Sequence, residues 1–222
     1  KDLRLYLDTA DISEWRTLMP IGIFYGITTN PMLTKRAGLV YKDICWKKLA
    51  STAADLGAKE IHAQVHGDID TALRFAEYIY SIGQSVGIEG VVKIPLSLDG
   101  ISMVPKIKNL DGKILLTACY DAKQIITASA LGVDYIAPYF SRMIDGGLDA
   151  MAQMRTMRVI SENCSCRPLI ASLRSAKQIV EIAELGHDCF TISAAVARDL
   201  FQNDLTDIAS SHFESIVNGG SS

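Results

Sequence analysis

Short apolar runs alternate with longer stretches whose apolar positions recur at helical spacing, along almost the whole chain. The short runs fall at 3–8, 24–28, 60–65, 90–95, 114–119, 135–139, 169–172 and 189–193, and their length predicts strands. Between them, "DTALRFAEYIYSIG" sets Ala72, Phe75, Ala76, Ile79 and Ile82 on one helical face. "SAKQIVEIAELG" repeats the pattern and stops on Gly186, a helix terminator. Met151, Met154 and Met157 form a further row that reads as core packing. Eight strands alternating with about eight helices predict an α/β fold, a parallel sheet with helical crossovers. An open doubly wound sheet and a closed barrel share that pattern. Eight units in 222 residues favour a single-domain (β/α)8 TIM barrel over 1–222, with a C-terminal helix at about 204–217. The closing "NGGSS" is expected to be disordered.

Alternation within each strand divides its residues between the helix-facing side and the barrel interior. In "LRLYLD" the leucines 3, 5 and 7 take the helix side, so Arg4, Tyr6 and Asp8 turn inward. In "VVKIP", Val92 and Ile94 face the helices and Lys93 faces the interior. In "IHAQVH", Ile61, Ala63 and Val65 face out, leaving His62, Gln64 and His66 inside. "YIAPYF" pairs Tyr135, Ala137 and Tyr139, and "LIASLR" aligns Ile170, Ser172 and Arg174. The polar inward residues collect at strand ends, the rim on which barrel enzymes carry their sites. A bulge in any strand would invert its assignment.

Composition narrows the classes of function. Apolar residues make up 49% and charged residues 21%, a globular balance. A net charge of −3 and a pI near 5.8 give no electrostatic reason to expect nucleic acid or an anionic membrane, so any affinity for anions must be local. No apolar run approaches the ~18 residues of a membrane span. Cys45, Cys119, Cys164, Cys166 and Cys189 are odd in number and scattered, which suits free thiols in a reducing cytoplasm. Cys164-Ser-Cys166 has no second Cys/His pair nearby, so zinc is not expected. The opening "KDLRLYLD" lacks a methionine, so a trimmed or processed start is expected.

Lys93 is the candidate for chemistry. A desolvated lysine has a lowered pKa, and its neutral amine can attack a ketone to form an iminium, an electron sink for breaking or making adjacent carbon–carbon bonds. Such a cycle needs an acid/base, a held water and groups for sugar hydroxyls. Tyr139 can move the proton, Gln64 and Thr117 can hold the water, and Asp8 and Asn30 can bind hydroxyls. Arg142, Ser172 and Arg174 suit a phosphate. Taken singly, each has an ordinary reading. Lys93 could be a strand-end lysine reaching water, Arg174 a surface residue opening a helix, and Asp8 or Thr9 a helix cap. His62 and His66 stand roughly 13 Å apart by strand rise and make no chelating pair. A metal-dependent aldolase therefore has a poor ligand set here. A barrel that only binds sugar phosphates is the non-catalytic alternative. The joint placement of these residues on one rim favours catalysis.

"LYLDTADISEW", "GITTNPML", "VVKIPLSLDG", "APYFSRMIDGG" and "ASLRS", in this order along nearly the whole chain, resemble the transaldolase family. The resemblance implies a class I aldolase barrel acting on sugar phosphates without a cofactor or metal, with Lys93 as its Schiff-base lysine on strand four. It implies roles for Asp8 after strand one, for Thr29 and Asn30 in the Thr-Thr-Asn-Pro turn, for Arg142 after strand six, and for Ser172 and Arg174 after strand seven. It also implies a homo-oligomer, a pentamer or decamer in the short members. Two activities divide the family. Transaldolases usually carry glutamate on strand three and phenylalanine on strand six, whereas the small fructose-6-phosphate aldolases carry glutamine and tyrosine. Gln64 and Tyr139 resemble the aldolase branch, and Leu115 and Ala137 also depart from the long transaldolases. Arg174 resembles the transaldolase side. The expected reaction is reversible cleavage of fructose 6-phosphate to dihydroxyacetone and glyceraldehyde 3-phosphate, with dihydroxyacetone transfer between sugar phosphates as the alternative.

Overall fold

A computed structural model describes residues 2–220. The chain runs β1 (Arg4–Asp8), α1 (Ile12–Leu18), β2 (Phe24–Thr28), α2 (Pro31–Arg36), α3 (Trp46–Asp55), β3 (Glu60–Gln64), α4 (Ile69–Val86) and β4 (Glu89–Pro95). It continues through α5 (Leu98–Lys108), β5 (Lys113–Cys119), α6 (Gln124–Leu131), β6 (Tyr135–Pro138), α7 (Phe140–Asp145) and α8 (Ala150–Ser161). The last elements are β7 (Arg167–Pro168), α9 (Ala176–Glu184), β8 (Cys189–Ile192), α10 (Ala194–Phe201) and α11 (Asp204–Val217). All strands pair in parallel, in the order β7-β6-β5-β4-β3-β2-β1-β8. Beyond β7, Ile170 N donates to Cys189 O at 2.9 Å and Thr191 N donates to Ile170 O at 2.9 Å. Those bonds join the two edges and close a (β/α)8 barrel.

Apolar residues form two layers. Leu5, Leu7, Ile61, Ala63, Val92 and Ile94 pack outward against Trp15, Leu49, Ala72, Ile79 and Val104 of the helices. Tyr6, Val91, Leu115, Tyr135, Ala137 and Leu169 fill the interior. The alternation read for β1, β4 and β6 is the one observed.

Four local readings need correction. Ile170 belongs to the outer layer while Leu169 and Ala171 face inward, so Ile170 does not align with Ser172. Ser172 has a φ of 57°, in the left-handed region, and this breaks the two-residue period. The regular ladder of β7 accordingly covers Arg167 and Pro168, with single bridges at Ile170 and Ala171. His66 lies beyond β3 with its ring against Tyr41 and Phe75, at centroid distances of 5.7 and 5.3 Å, because the strand has ended. The cap of α1 is Asp11, which accepts from Ser13 N at 2.9 Å, so neither Asp8 nor Thr9 is used for it. Arg174 likewise precedes its helix, which Ser175 caps. The expectation for "NGGSS" falls partly on Ser221 and Ser222, outside the described residues.

Two close approaches fix the strand that carries Lys93. A Cβ added to Gly83 of α4 would lie 2.7 Å from Gly90 N, and one added to Gly90 would lie 2.6 Å from Ile79 O. A Cβ on Gly100 of α5 would lie 1.9 Å from Pro95 O. Glycine thus lets α4 and the first turn of α5 rest directly on β4. Ser97 caps α5 by accepting from Gly100 N at 3.1 Å, a contact worth about 1 kcal/mol.

Candidate active site

At the C-terminal ends of the strands a cavity of about 310 Å³ is lined by Asp8, Thr28, Asn30, Lys93, Tyr139, Arg142, Ser172, Arg174 and Thr191, among others. Lys93 is 5% exposed and its Nζ donates to Thr29 O at 2.8 Å. Burial pushes its pKa below the usual lysine value, with Asp8 opposing. Burial pushes the Asp8 carboxyl up, against Lys93 and the Thr28 hydroxyl, which donates to Asp8 Oδ1 at 2.7 Å. Thr28 Oγ1 also lies 2.5 Å from Thr191 Oγ1, so β8, β2 and β1 are joined by one chain of hydroxyl and carboxylate groups.

Across the cavity, Tyr139 OH and Thr117 Oγ1 are 2.6 Å apart. Burial raises the Tyr139 pKa, against the hydrogen bond from Thr117. Such a phenol stays protonated and can give and retake a proton. The Arg142 guanidinium lies 5.1 Å from the Tyr139 ring centroid. Thr117 is followed by Ala118 at φ 61°, and the β5–β6 register slips there, between Leu116 and Cys119. This bulge and Ser172 stand at the rim, where strained backbone collects when it aims side chains.

Beneath the cavity the interior closes on a buried carboxylate. Glu60 accepts from Tyr6 OH at 2.7 Å and Tyr135 OH at 2.8 Å, and Lys113 Nζ lies 3.2 Å away. His62 Nε2 is 3.0 Å from Glu60 Oε1. Burial alone would raise Glu60, but the bonds from His62 and Tyr6 and the Lys113 charge outweigh it and hold the carboxyl at about 2. An ionised carboxylate only accepts, so Nε2 carries the hydrogen of a histidine kept neutral by burial. His62 Nδ1 is buried and has no hydrogen-bond partner among the described residues.

The structure therefore brings Lys93, Asp8, Asn30, Tyr139, Arg142, Ser172 and Arg174 around one cavity. Thr117 is set back and reaches it through Tyr139. Gln64 pairs with Lys93 across β3 and β4 and is half-buried. Thr29 offers Lys93 its carbonyl, while its fully buried hydroxyl donates to His62 O at 2.6 Å. The Asn30 side chain accepts from Leu33 N at 2.9 Å, which caps α2 and leaves its amide NH2 for other partners. Arg174 is paired with Asp145 through two nitrogens, one at 2.9 Å from Asp145 Oδ1. Thr28, Thr191 and Arg36 line the cavity and were not singled out from sequence. Alternation in "CFTIS" would have turned Thr191 inward with Cys189. Arg36 stands one helical turn past Met32, on the same face of α2.

No helix among the described residues is long and apolar enough to cross a membrane. Among solved structures, the chain resembles thiamine phosphate pyrophosphorylase from Pyrococcus furiosus, with a TM-score of 0.60 at 15% identity over 87% of each chain. It also resembles a mandelate oxidase variant with (S)-mandelic acid, with a TM-score of 0.62 at 10% identity over 86% of this chain and 64% of that one. At these identities the likeness is one of fold. A probable transaldolase from Novosphingobium aromaticivorans is 31% identical over 211 residues, 92% of each chain. Another from Anaeromyxobacter sp. (strain K) is 28% identical over 207 residues, again 92% of each. The family model for Transaldolase/Fructose-6-phosphate aldolase matches residues 5–220. A closed barrel with a buried lysine at its mouth and a match over nearly the whole chain agree: this chain belongs to the Transaldolase/Fructose-6-phosphate aldolase family and is an enzyme of it.

Proposed function

We propose that the enzyme reversibly cleaves fructose 6-phosphate to dihydroxyacetone and glyceraldehyde 3-phosphate through a Schiff base on Lys93. The observation that carries this reading is the buried Lys93 amine, held by Thr29 O, in a cavity that Asp8 and Tyr139 also line. The neutral amine adds to the C2 carbonyl, and the carbinolamine takes a proton from solvent and loses water to give the iminium. Asp8 takes the proton of the C4 hydroxyl. The C3–C4 bond breaks, its electron pair moves to the iminium nitrogen, and the aldehyde departs. The resulting enamine is protonated at C3 from the Tyr139–Thr117 pair. Water then adds at C2 and releases dihydroxyacetone and the neutral amine, the proton taken up at iminium formation going back to solvent. The proton on Asp8 returns to the pair through solvent.

Tyr139 favours the aldolase branch, because a hydroxyl at this place can protonate the enamine before a second aldehyde captures it. Transaldolase chemistry is the second reading, favoured by the names of the relatives and by Arg174. Product analysis with fructose 6-phosphate, with and without erythrose 4-phosphate, separates the two. We expect free dihydroxyacetone without acceptor, and a shift toward transfer in Tyr139→Phe. Cleavage that strictly requires the acceptor would overturn the aldolase assignment, and unchanged cleavage in Tyr139→Phe would remove Tyr139 as its cause.

The same reading places the enzyme in the cytoplasm as a homo-oligomer. Five free cysteines suit a reducing compartment. Every residue of α11 is exposed, including Leu205, Ile208, Phe213, Ile216 and Val217. A second copy of the chain would cover that apolar face.

A further inference from the structure

We propose that Arg36 is an anion-binding residue of this site, acting with Arg142 across Met32 to hold the phosphate of the substrate. The substrate class rests on the sugar-phosphate reading above; the anion site rests on the side chains themselves. Tyr139 aside, the ionisable residues lining the cavity are one acid, Asp8, and four bases, Arg36, Lys93, Arg142 and Arg174, so that even with the Lys93 amine neutral three guanidiniums face one carboxyl. In a chain of net charge −3 this is a local excess of positive charge. The four bases are not equally available. Arg174 is tied to Asp145 through both of its terminal nitrogens. Lys93 is buried on a backbone carbonyl. Arg36 and Arg142 form no ion pair among the described residues.

Both free guanidiniums converge on one atom. Arg36 Nη2 lies 3.5 Å and Arg142 Nη2 3.7 Å from Met32 Sδ. A thioether is a weak acceptor, so neither cation has found a strong partner there. Their nitrogens can be no more than about 7 Å apart, the sum of those two distances. A phosphate accepting a charge-assisted bond of about 2.8 Å on each of two oxygens bridges a gap of that size. Met32 is 45% exposed and unbranched, so it can swing aside at little cost. The pair also spans the cavity: Arg36 ends α2, after β2, whereas Arg142 lies on α7, after β6.

The test measures binding of inorganic phosphate by calorimetry at constant ionic strength, in the wild type and in Arg36→Gln, Arg36→Lys and Lys35→Gln. Losing one charge-assisted contact should weaken phosphate about tenfold in Arg36→Gln, with partial recovery in Arg36→Lys. Lys35 is exposed on the same helix but does not line the cavity, so Lys35→Gln should stay within about twofold. Unchanged phosphate affinity in Arg36→Gln, or an equal loss in Lys35→Gln, overturns the assignment. Borohydride trapping then separates this proposal from the reading beneath it. The half-saturating concentration of fructose 6-phosphate should rise in Arg36→Gln about tenfold more than that of dihydroxyacetone, which lacks a phosphate. Equal rises overturn a phosphate role. If the wild type traps neither ketone while phosphate binding still depends on Arg36, the anion site stands and the Schiff-base reading fails.

Discussion

On the proposed chemistry, Lys93 carries a cost in the free enzyme that its reaction requires. Its folded-state pKa lies below the unfolded value, so the unfolded chain binds more protons between the two and stability rises with pH through that window. Lys93→Met should therefore melt above the wild type at neutral pH, by a margin that narrows as pH approaches 10.5, the ordinary value of the amine. The same variant should lose borohydride trapping. A margin flat with pH would show that the buried charge does not set stability here, and persistent trapping would identify a different lysine. The inward direction of Lys93 was legible because Val92 and Ile94 flank it in an unbroken strand. Ile170 was misread because one left-handed residue, Ser172, breaks the period next to it. Arg36 escaped notice because α2 has only six residues, too few for periodicity to mark a face. Its setting also depends on where β6 delivers Arg142, a long-range matter no local pattern encodes.

Among the elements, β4 is closely held, with α4 seated on Gly83 and Gly90 and the first turn of α5 seated on Gly100. Gly100→Ala would drive a methyl group into the Pro95 carbonyl, two residues from Lys93. It should cost about 2–3 kcal/mol in chemical denaturation and lower turnover as well. Gly87→Ala is the comparison. Gly87 has a φ of 80° with open space around it, so alanine there meets backbone strain of about 1 kcal/mol and should spare turnover. Equal effects of the two would mean that α5 shifts freely off the strand. Strands with full ladders were legible from their apolar runs, as were helices with long apolar faces. The seventh strand was displaced because closure there relies on isolated bridges rather than a continuous ladder.

For the whole molecule, eight repeating units made the barrel legible, whereas the destination of α11 was open, since amphipathic character alone does not say which chain it meets. It buries none of its residues against its own barrel. Removing α11 after Asn203 should lower the mass of the particle in light scattering while leaving each barrel able to trap dihydroxyacetone. An unchanged mass would show that assembly uses another surface. At the opposite end of the barrel, Tyr6, Glu60, His62 and Tyr135 leave no way through. Among the described residues, the cavity that holds Lys93 thus opens at the C-terminal mouth of the barrel, its doorway. On the proposed chemistry, the phosphorylated fragment must clear it before water or another aldehyde can reach the carbon still attached to Lys93. On that proposal, traffic through the mouth, and not only the choice of proton donor, decides between hydrolysis and transfer.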